Sequence, residues 1–200
     1  MNRENYPSIA GDIYGWLDLK ESWILYDLAK QVPESGKIVE IGSFLGKSTV
    51  CLGEGSTNGN KAKIYSIDHH KGSKEHYRMF NLPPGSNINT LPYFRENIYK
   101  AGLQDIVKPI IAKSNHLGGA IDTEIDLLFI DGSHEYEQVK KDFDAWAPKI
   151  KADGVLAIHD VYYWPGPAYL LAEIMYYGQW KWLKSCTADT PNLAILMRNN

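Results

Sequence analysis

Short continuous apolar runs alternate with amphipathic ones along the chain. KIVEIG (37–42), AKIYSID (62–68), DIVKPIIA (105–112), EIDLLFID (124–131) and DGVLAIHD (153–160) have the length and composition of strands. EIDLLFID is apolar almost throughout, which predicts a strand covered on both faces. Helical spacing fills the gaps. KSTVCLGEG (47–55) is a short helix ending in glycines, and GPAYLLAEIMYYG (166–178) is another helix. PYFRENIYKAGL (92–103) sets Phe94, Ile98 and Leu103 on one side, with Gly102 near its end. HEYEQVKKDFDAWAPKI (134–150) repeats Tyr136, Val139, Phe143 and Trp146 at i, i+3, i+7 and i+10. WKWLKSC (180–186) and NLAILMR (192–198) read as two last strands. Only TADTP (187–191) separates them, so they predict a hairpin with one strand antiparallel to the rest. Ahead of the first strand, LDLKESWILYDLAKQV (17–32) reads as a helix packed on the sheet or across its edge.

Alternation of strand and helix predicts an α/β fold: a doubly wound, mostly parallel seven-stranded sheet with helices on both faces and an antiparallel last strand. At 200 residues the chain is one domain, 1–200, with a helical segment over 1–36. It is too short for an eight-fold barrel, which typically needs about 250 residues. The segment 69–91 is polar and carries two adjacent prolines and two glycines. It is long for a connection, which predicts a lid or substrate loop above the sheet.

Composition removes several classes. With 21 basic against 24 acidic residues there is no electrostatic case for nucleic acid. The only cysteines, Cys51 and Cys186, form no CxxC pair, which argues against a zinc-thiolate site and a disulfide framework. A reducing, cytoplasmic setting is the natural expectation. No N-terminal run resembles a signal peptide, and no stretch of about 18 apolar residues predicts a membrane span. The expected partner is a small molecule, and a homo-oligomer stays open.

The first strand runs into VEIGSFLGKST (39–49), whose GKS ending resembles a phosphate-binding loop. That pattern is G-x-x-x-x-G-K-[ST], and counting back from Gly46 puts Ile41, not glycine, at its first position. The loop is one residue short, and a phosphate cradle needs several N–H groups converging on one point. The dinucleotide pattern G-x-G-x-x-G is imperfect too, with Ser43-Phe44 where a pyrophosphate needs bare backbone. Glu40 beside the loop would repel phosphates and attract a cation such as an amino group or a sulfonium. Lys47 then becomes an ordinary helix-start residue facing solvent, and Ser48 a helix-start residue as readily as a ligand contact. The second strand ends in Asp68, where an acidic side chain receives a ribose diol. A ribose, no phosphates and a welcome positive charge describe S-adenosylmethionine; NAD stays open with less support.

VEIGSFLGKST, IYSIDHH, IIAKSN, DLLFIDGSHEYEQVKKDF and ADGVLAIHD, in that order, resemble the class I S-adenosylmethionine-dependent methyltransferases. More narrowly they resemble a small-domain group with a D-G-x-H-x-Y stretch, related to metal-dependent O-methyltransferases of sugars, macrolides and catechols. The resemblance covers about residues 17 to 164 and implies a Rossmann-like methyltransferase fold. It implies that Glu40, Gly42, Ser43 and Gly46 lie against the methionine part of the cofactor. It further implies that Asp68 binds the ribose, that His69 flanks the ribose or adenine, and that Lys113 and Ser114 hold the adenine edge. Asp131 would border the methyl-transfer point. His70, His76 and His116 carry no pattern and read as surface or loop histidines.

In a sheet ordered 3-2-1-4-5, ligands bind at the carboxyl ends of the strands. Asp131, His134, His159 and Asp160 therefore gather beside the methyl-transfer point. The related enzymes imply a divalent metal, Mg²⁺ or Mn²⁺, at Asp131, His159 and Asp160. They commonly have an acid where this chain has His159, and imidazole suits Mn²⁺, Fe²⁺ or Zn²⁺ better than Mg²⁺. Neighbouring side chains of a strand point to opposite faces, so a core position for His159 stays open. His134 is the candidate general base for a hydroxyl acceptor, with an N-cap role as the structural alternative. VYYWPGPAY (161–169) supplies flat walls suited to sugar rings or phenols. The expected activity is O-methylation of a small molecule. A nicotinamide-dependent oxidoreductase, or a protein that binds S-adenosylmethionine without chemistry, remains open on the same fold.

Overall fold

The computed structural model describes residues 3–117, 124–183 and 192–199. Its sheet contains β1 (Lys37–Ile41), β2 (Lys63–Ile67), β3 (Val107–Ile110), β4 (Ile125–Ile130), β5 (Ile150–His159), β6 (Trp180–Trp182) and β7 (Leu193–Arg198). The order across the sheet is β3-β2-β1-β4-β5-β7-β6. The first five strands are mutually parallel, and β7 runs antiparallel between β5 and β6. This is the expected doubly wound order with its antiparallel strand near one edge. The expected turn at 187–191 and Cys186 lie outside the described residues.

The apolar runs are continuous because both sheet faces are covered. In β4, Leu127 and Phe129 face one way, into a core shared with α1 (Leu19–Gln31), α2 (Lys47–Thr57) and α4 (Leu91–Lys100). Leu128 and Ile130 face the other way, against α5 (Tyr136–Trp146) and α6 (Pro165–Tyr176). Trp146 is wholly enclosed on that second face.

Most elements follow their predicted spans, with informative exceptions. α5 begins at Tyr136, so Ser133, His134 and Glu135 form a separate approach to the helix. β5 begins at Ile150, earlier than the expected 153, through a register shift opposite Ile125 and Leu127. Within 69–91 a short helix, α3 (Lys74–Met79), sits over the carboxyl ends of the strands. α1 opens with a reciprocal cap: Asp18 accepts the Glu21 N–H at 2.8 Å, and Glu21 accepts the Asp18 N–H at 3.0 Å. That cap fixes the Glu21 carboxylate, which matters below.

α1 and α2 pack at backbone distance. A methyl group on Gly55 would land against the Tyr26 carbonyl, well inside van der Waals contact. Gly55→Ala must therefore push two helices apart, and overpacking of this kind costs about 2 to 3 kcal/mol. Urea unfolding should register that loss, whereas Gly85→Ala, where a methyl meets nothing, should cost only its backbone strain at a left-handed residue.

Candidate active site

The sheet hydrogen bonds continue one step beyond the strands. Gly42 N–H donates to Ile67 O at 2.9 Å, Asp68 N–H to Ile110 O at 3.1 Å and Asp131 N–H to Ile41 O at 2.8 Å. Gly42, Asp68 and Asp131 are thereby aligned along the carboxyl edge. Gly42 must be glycine: its φ is +84°, and a Cβ would strike the Asp131 carbonyl. The turn continues through Phe44, a non-glycine residue at φ +47°.

Asp68 holds this turn. One carboxylate oxygen accepts the N–H groups of Ser43 at 3.0 Å and Phe44 at 2.9 Å; the other accepts His70 N–H at 2.6 Å. These loop amides are committed to a carboxylate, so they do not form a phosphate cradle. Glu40 is fully enclosed, and its oxygens accept hydrogen bonds from the hydroxyls of Ser48, Thr49 and Ser66. Burial pushes its pKa up to about 7, against the opposing effect of those hydroxyls. Glu40 and Gly46 line neither of the chambers described next: Glu40 braces the loop from below, and Gly46 caps α2. Lys47 does not face solvent as expected. Residues 14–17 fold over it, its ammonium donates to the Gly15 carbonyl at 3.3 Å, and it rests 4.5 Å from the Tyr6 ring centre.

Two adjoining chambers lie above this edge, of about 460 and 390 Å³, sizes typical of small-molecule sites. The first gathers Asp68, His69, Lys113 and Ser114, the residues expected around an adenosine. Its far wall holds Asp142, which accepts the Ser114 hydroxyl and whose pKa burial pushes up to about 6. The second gathers Ser43, Asp131, His134, His159 and Asp160. Gly42, Phe44, Ser73, His76 and Gly132 border both. Buried polar atoms without a hydrogen-bond partner are rare. Among the described residues, Ser43 Oγ, His76 Nε2 and His134 Nδ1 of the second chamber and Asn115 Oδ1 of the first are such atoms. A larger concavity, about 1160 Å³, lies at the opposite, amino-terminal end of β4 and β5 and contains none of the expected site residues.

The second chamber is a charge cluster. Its assembly depends on Asp160, whose φ of +62° breaks the strand alternation directly after β5. His159 and Asp160 consequently turn toward the same point, and suitable atoms of Asp131, His159 and Asp160 all lie within 4.8 Å of one another. His159 is 3% exposed, and both its nitrogens face carboxylates: Nδ1 is 3.2 Å from Asp131 Oδ1 and 3.5 Å from Asp160 Oδ2, and Nε2 is 3.1 Å from Glu21 Oε2. Burial disfavours its charge, but Asp131, Asp160 and Glu21 together raise its pKa far above that of an ordinary histidine. Asp160 moves the other way: burial opposes ionisation, while His134, His159 and Asn192 hold it well below the usual carboxylate range. Asp131 is raised, because burial outweighs the pull of His159.

His134 is not a helix cap. Its Nε2–H donates to Asp160 Oδ2 at 2.8 Å, and its ring stacks on Trp164 with centroids 4.2 Å apart. Burial lowers its pKa, but the Asp160 hydrogen bond and the charges of Asp160, Asp131 and Glu75 raise it overall.

Sequence reasoning missed several residues. Glu21 and Asn192 reach the cluster through long-range packing, which carries no local signal. His70, read as a loop histidine, is 2% exposed and bonds Thr90 at 2.8 Å. His76, read the same way, lies tilted over Phe44 with centroids 4.5 Å apart, within an aromatic group that includes Trp16 and Phe80.

Comparison with known proteins agrees with this architecture. The profile of a family described as a methyltransferase domain matches residues 39–161. The chain belongs to that family, and its sheet is that of the class I methyltransferases. A curated relative, the Sinorhizobium fredii protein named uncharacterized protein y4gI, is 28% identical over 142 residues, 69% of this chain. The matched region is only 14% of that relative's length. Among solved structures, the O-methyltransferase NovP superposes with a TM-score of 0.71 at 16% identity, over 91% of this chain and 81% of NovP. A putative caffeoyl-CoA O-methyltransferase from Staphylococcus aureus gives 0.68 at 16% identity, over 96% and 88%. The O-methyltransferase TomG from Streptomyces achromogenes, solved in complex with SAM, gives 0.63 at 14% identity, over 97% and 88%. Among the described residues no helix is long and apolar enough to cross a membrane.

Glu40 yields a pH test. Its pKa is raised from 4.5 to about 7, so the folded state keeps a proton that the unfolded chain releases. That contribution to stability is full below the ordinary carboxylate range and is lost as pH rises toward 7. The shift corresponds to about 3 kcal/mol. Urea unfolding across pH 4.5 to 8 should show the wild type losing about that much stability relative to Glu40→Gln, which carries no such titration.

Proposed function

We propose that the chain is an S-adenosylmethionine-dependent methyltransferase that methylates a hydroxyl group of a small molecule. His134 carries this reading. Its Nε2–H is committed to Asp160, which leaves Nδ1, buried, without a hydrogen-bond partner and 3.8 Å from Glu75 Oε1, as the nitrogen available to an acceptor. Stacking on Trp164 holds the ring in that orientation. A histidine so held accepts a hydroxyl proton at Nδ1, and the Asp160 carboxylate stabilises the imidazolium that results.

The first chamber suits the adenosine, with the ribose diol toward Asp68 and the adenine edge toward Lys113 and Ser114. Gly42 and Ser43 suit the methionine end, and the unpartnered Ser43 hydroxyl is available to it. When bound, S-adenosylmethionine supplies the methyl group as an electrophile on a positively charged sulfur. The carboxylates of the second chamber favour that charge, and the two adjoining chambers bring methyl and acceptor into line, an effect that often dominates such displacements. Tyr14, Trp16, Tyr163 and Trp164 wall the second chamber and suit an acceptor with a flat or sugar ring. NovP and TomG, which share this fold, are O-methyltransferases, and this supports the acceptor chemistry.

The Asp131, His159 and Asp160 donor set is compatible with one divalent ion: two carboxylate oxygens and an imidazole nitrogen converge within bonding span. When bound, a metal would lower the pKa of the acceptor hydroxyl. An all-oxygen ion such as Mg²⁺ suits this set poorly because of His159.

A thermal-shift screen with S-adenosylmethionine, S-adenosylhomocysteine, NAD and ATP tests the class. The two sulfur nucleosides should raise the melting temperature, and a shift with ATP alone would overturn the reading. His134→Ala should reduce methyl transfer by at least about 100-fold with S-adenosylhomocysteine affinity nearly unchanged; undiminished turnover removes it from the base role. Asp68→Ala should weaken that affinity in calorimetry, and intact binding would contradict its assignment to the ribose.

A further inference from the structure

We infer that Glu21 and His159 form a carboxylate–imidazole unit that directs the Asp131–Asp160 centre to a borderline transition ion such as Mn²⁺ or Co²⁺, in preference to Mg²⁺. The inference rests on the methyltransferase reading for the use of the ion, and on the side chains alone for its identity.

Glu21 lies outside the segment 39–161 that the family shares. It comes from the first turn of α1, is 2% exposed, and its Oε2 accepts both the Asp18 N–H at 3.0 Å and the His159 Nε2–H at 3.1 Å. The helix cap prevents this carboxylate from swinging away. Nε2 is thereby held against Glu21, and Nδ1 is turned toward Asp131 Oδ1 and Asp160 Oδ2, at 3.2 and 3.5 Å, where an ion bound between those carboxylates would take the place of the Nδ1 hydrogen. Such separations match adjacent vertices around one ion with bonds of about 2.0 to 2.2 Å. A metal-ligating histidine almost always donates its other N–H to a carboxylate, carbonyl or water, which orients the ring and strengthens it as a ligand. Glu21 is in that position.

The surroundings point the same way. Asn192 Nδ2 donates to Asp160 Oδ1 at 3.0 Å, which steers Oδ2 inward. Asp160 is held at a left-handed φ of +62°, and backbone strain of this kind collects at functional sites. Glu21, Asp131 and Asp160 all surround the His159 ring, and a bound ion would exchange with a proton of that ring as their compensating cation. Imidazole nitrogen suits Co²⁺ or Zn²⁺ and is accepted by Mn²⁺ in a mixed nitrogen–oxygen set, whereas Mg²⁺ prefers oxygen throughout.

Calorimetric titration of the full chain with MnCl₂, CoCl₂ and MgCl₂ tests this, with S-adenosylhomocysteine titrated in parallel. Mn²⁺ and Co²⁺ should bind at least about tenfold more tightly than Mg²⁺, and the electron-spin-echo spectrum of bound Mn²⁺ should carry a nitrogen coupling. Glu21→Gln should weaken Mn²⁺ binding about 10- to 100-fold while S-adenosylhomocysteine still binds. His159→Asp should remove the nitrogen coupling and reverse the preference toward Mg²⁺. Absence of metal binding, equal affinity for Mg²⁺, or a Glu21→Gln variant with unchanged Mn²⁺ affinity would each overturn the inference. If S-adenosylhomocysteine still binds in those cases, the methyltransferase reading stands; its loss from wild type would count against that reading instead.

Discussion

The parallel pairing of β1 with its neighbours, carried one residue past the strand ends, governs this molecule. Gly42, Asp68 and Asp131 each continue a ladder with a backbone N–H, so three loops leave the sheet from one line. Everything above that line inherits its position from it. The glycine at 42 is required because β4 passes directly behind it. The Asp68 carboxylate reaches the loop amides because β2 ends opposite. The two chambers are the space that remains when loops diverge from a common edge.

Charge is the second constraint. Four carboxylates, of Glu21, Glu75, Asp131 and Asp160, surround the imidazoles of His134 and His159, and their charges govern the protonation of both rings. Asp160 is the pivot: its oxygens serve His134, His159 and Asn192 together. A change there alters the proposed base and the proposed metal centre at once. Glu40 stands outside the two chambers, bound by three hydroxyl donors, and feels the cluster only through the Asp131 charge, which adds to its raised pKa.

Much of the fold was legible because local pattern and global role coincide. EIDLLFID has the unbroken apolar run LLFI because both faces of β4 are covered there, and Asp68 and Asp131 stand out as the charges that follow such runs. The site was legible to the extent that it lies at strand ends. His159 was ambiguous, since strand alternation would send it away from Asp160; a single left-handed residue reverses that, and nothing in the dipeptide announces it. Glu21 reads as a cap, which it is, and its second partner is 138 residues distant. Lys47 and His76 were misjudged for one reason. Exposure is decided by the segments that fold over a residue, here 14–17 and the aromatic group around Phe44.

The Glu21–His159 contact also bears on how the protein is made. A pairing across 138 residues is closed only after the central strands have formed and α1 has docked beside them. Contacts of such long sequence separation bear the full cost of loop closure, which slows their formation. By sequence separation alone, this contact carries a larger closure cost than the strand pairings around it. A chain emerging from the ribosome carries every residue of the first chamber once Asp142 has followed, before it contains His159, Asp160 and Asn192 of the second. Occupancy of the first chamber can precede competence of the second, so a nascent molecule could be stabilised by a nucleoside it is not yet able to use.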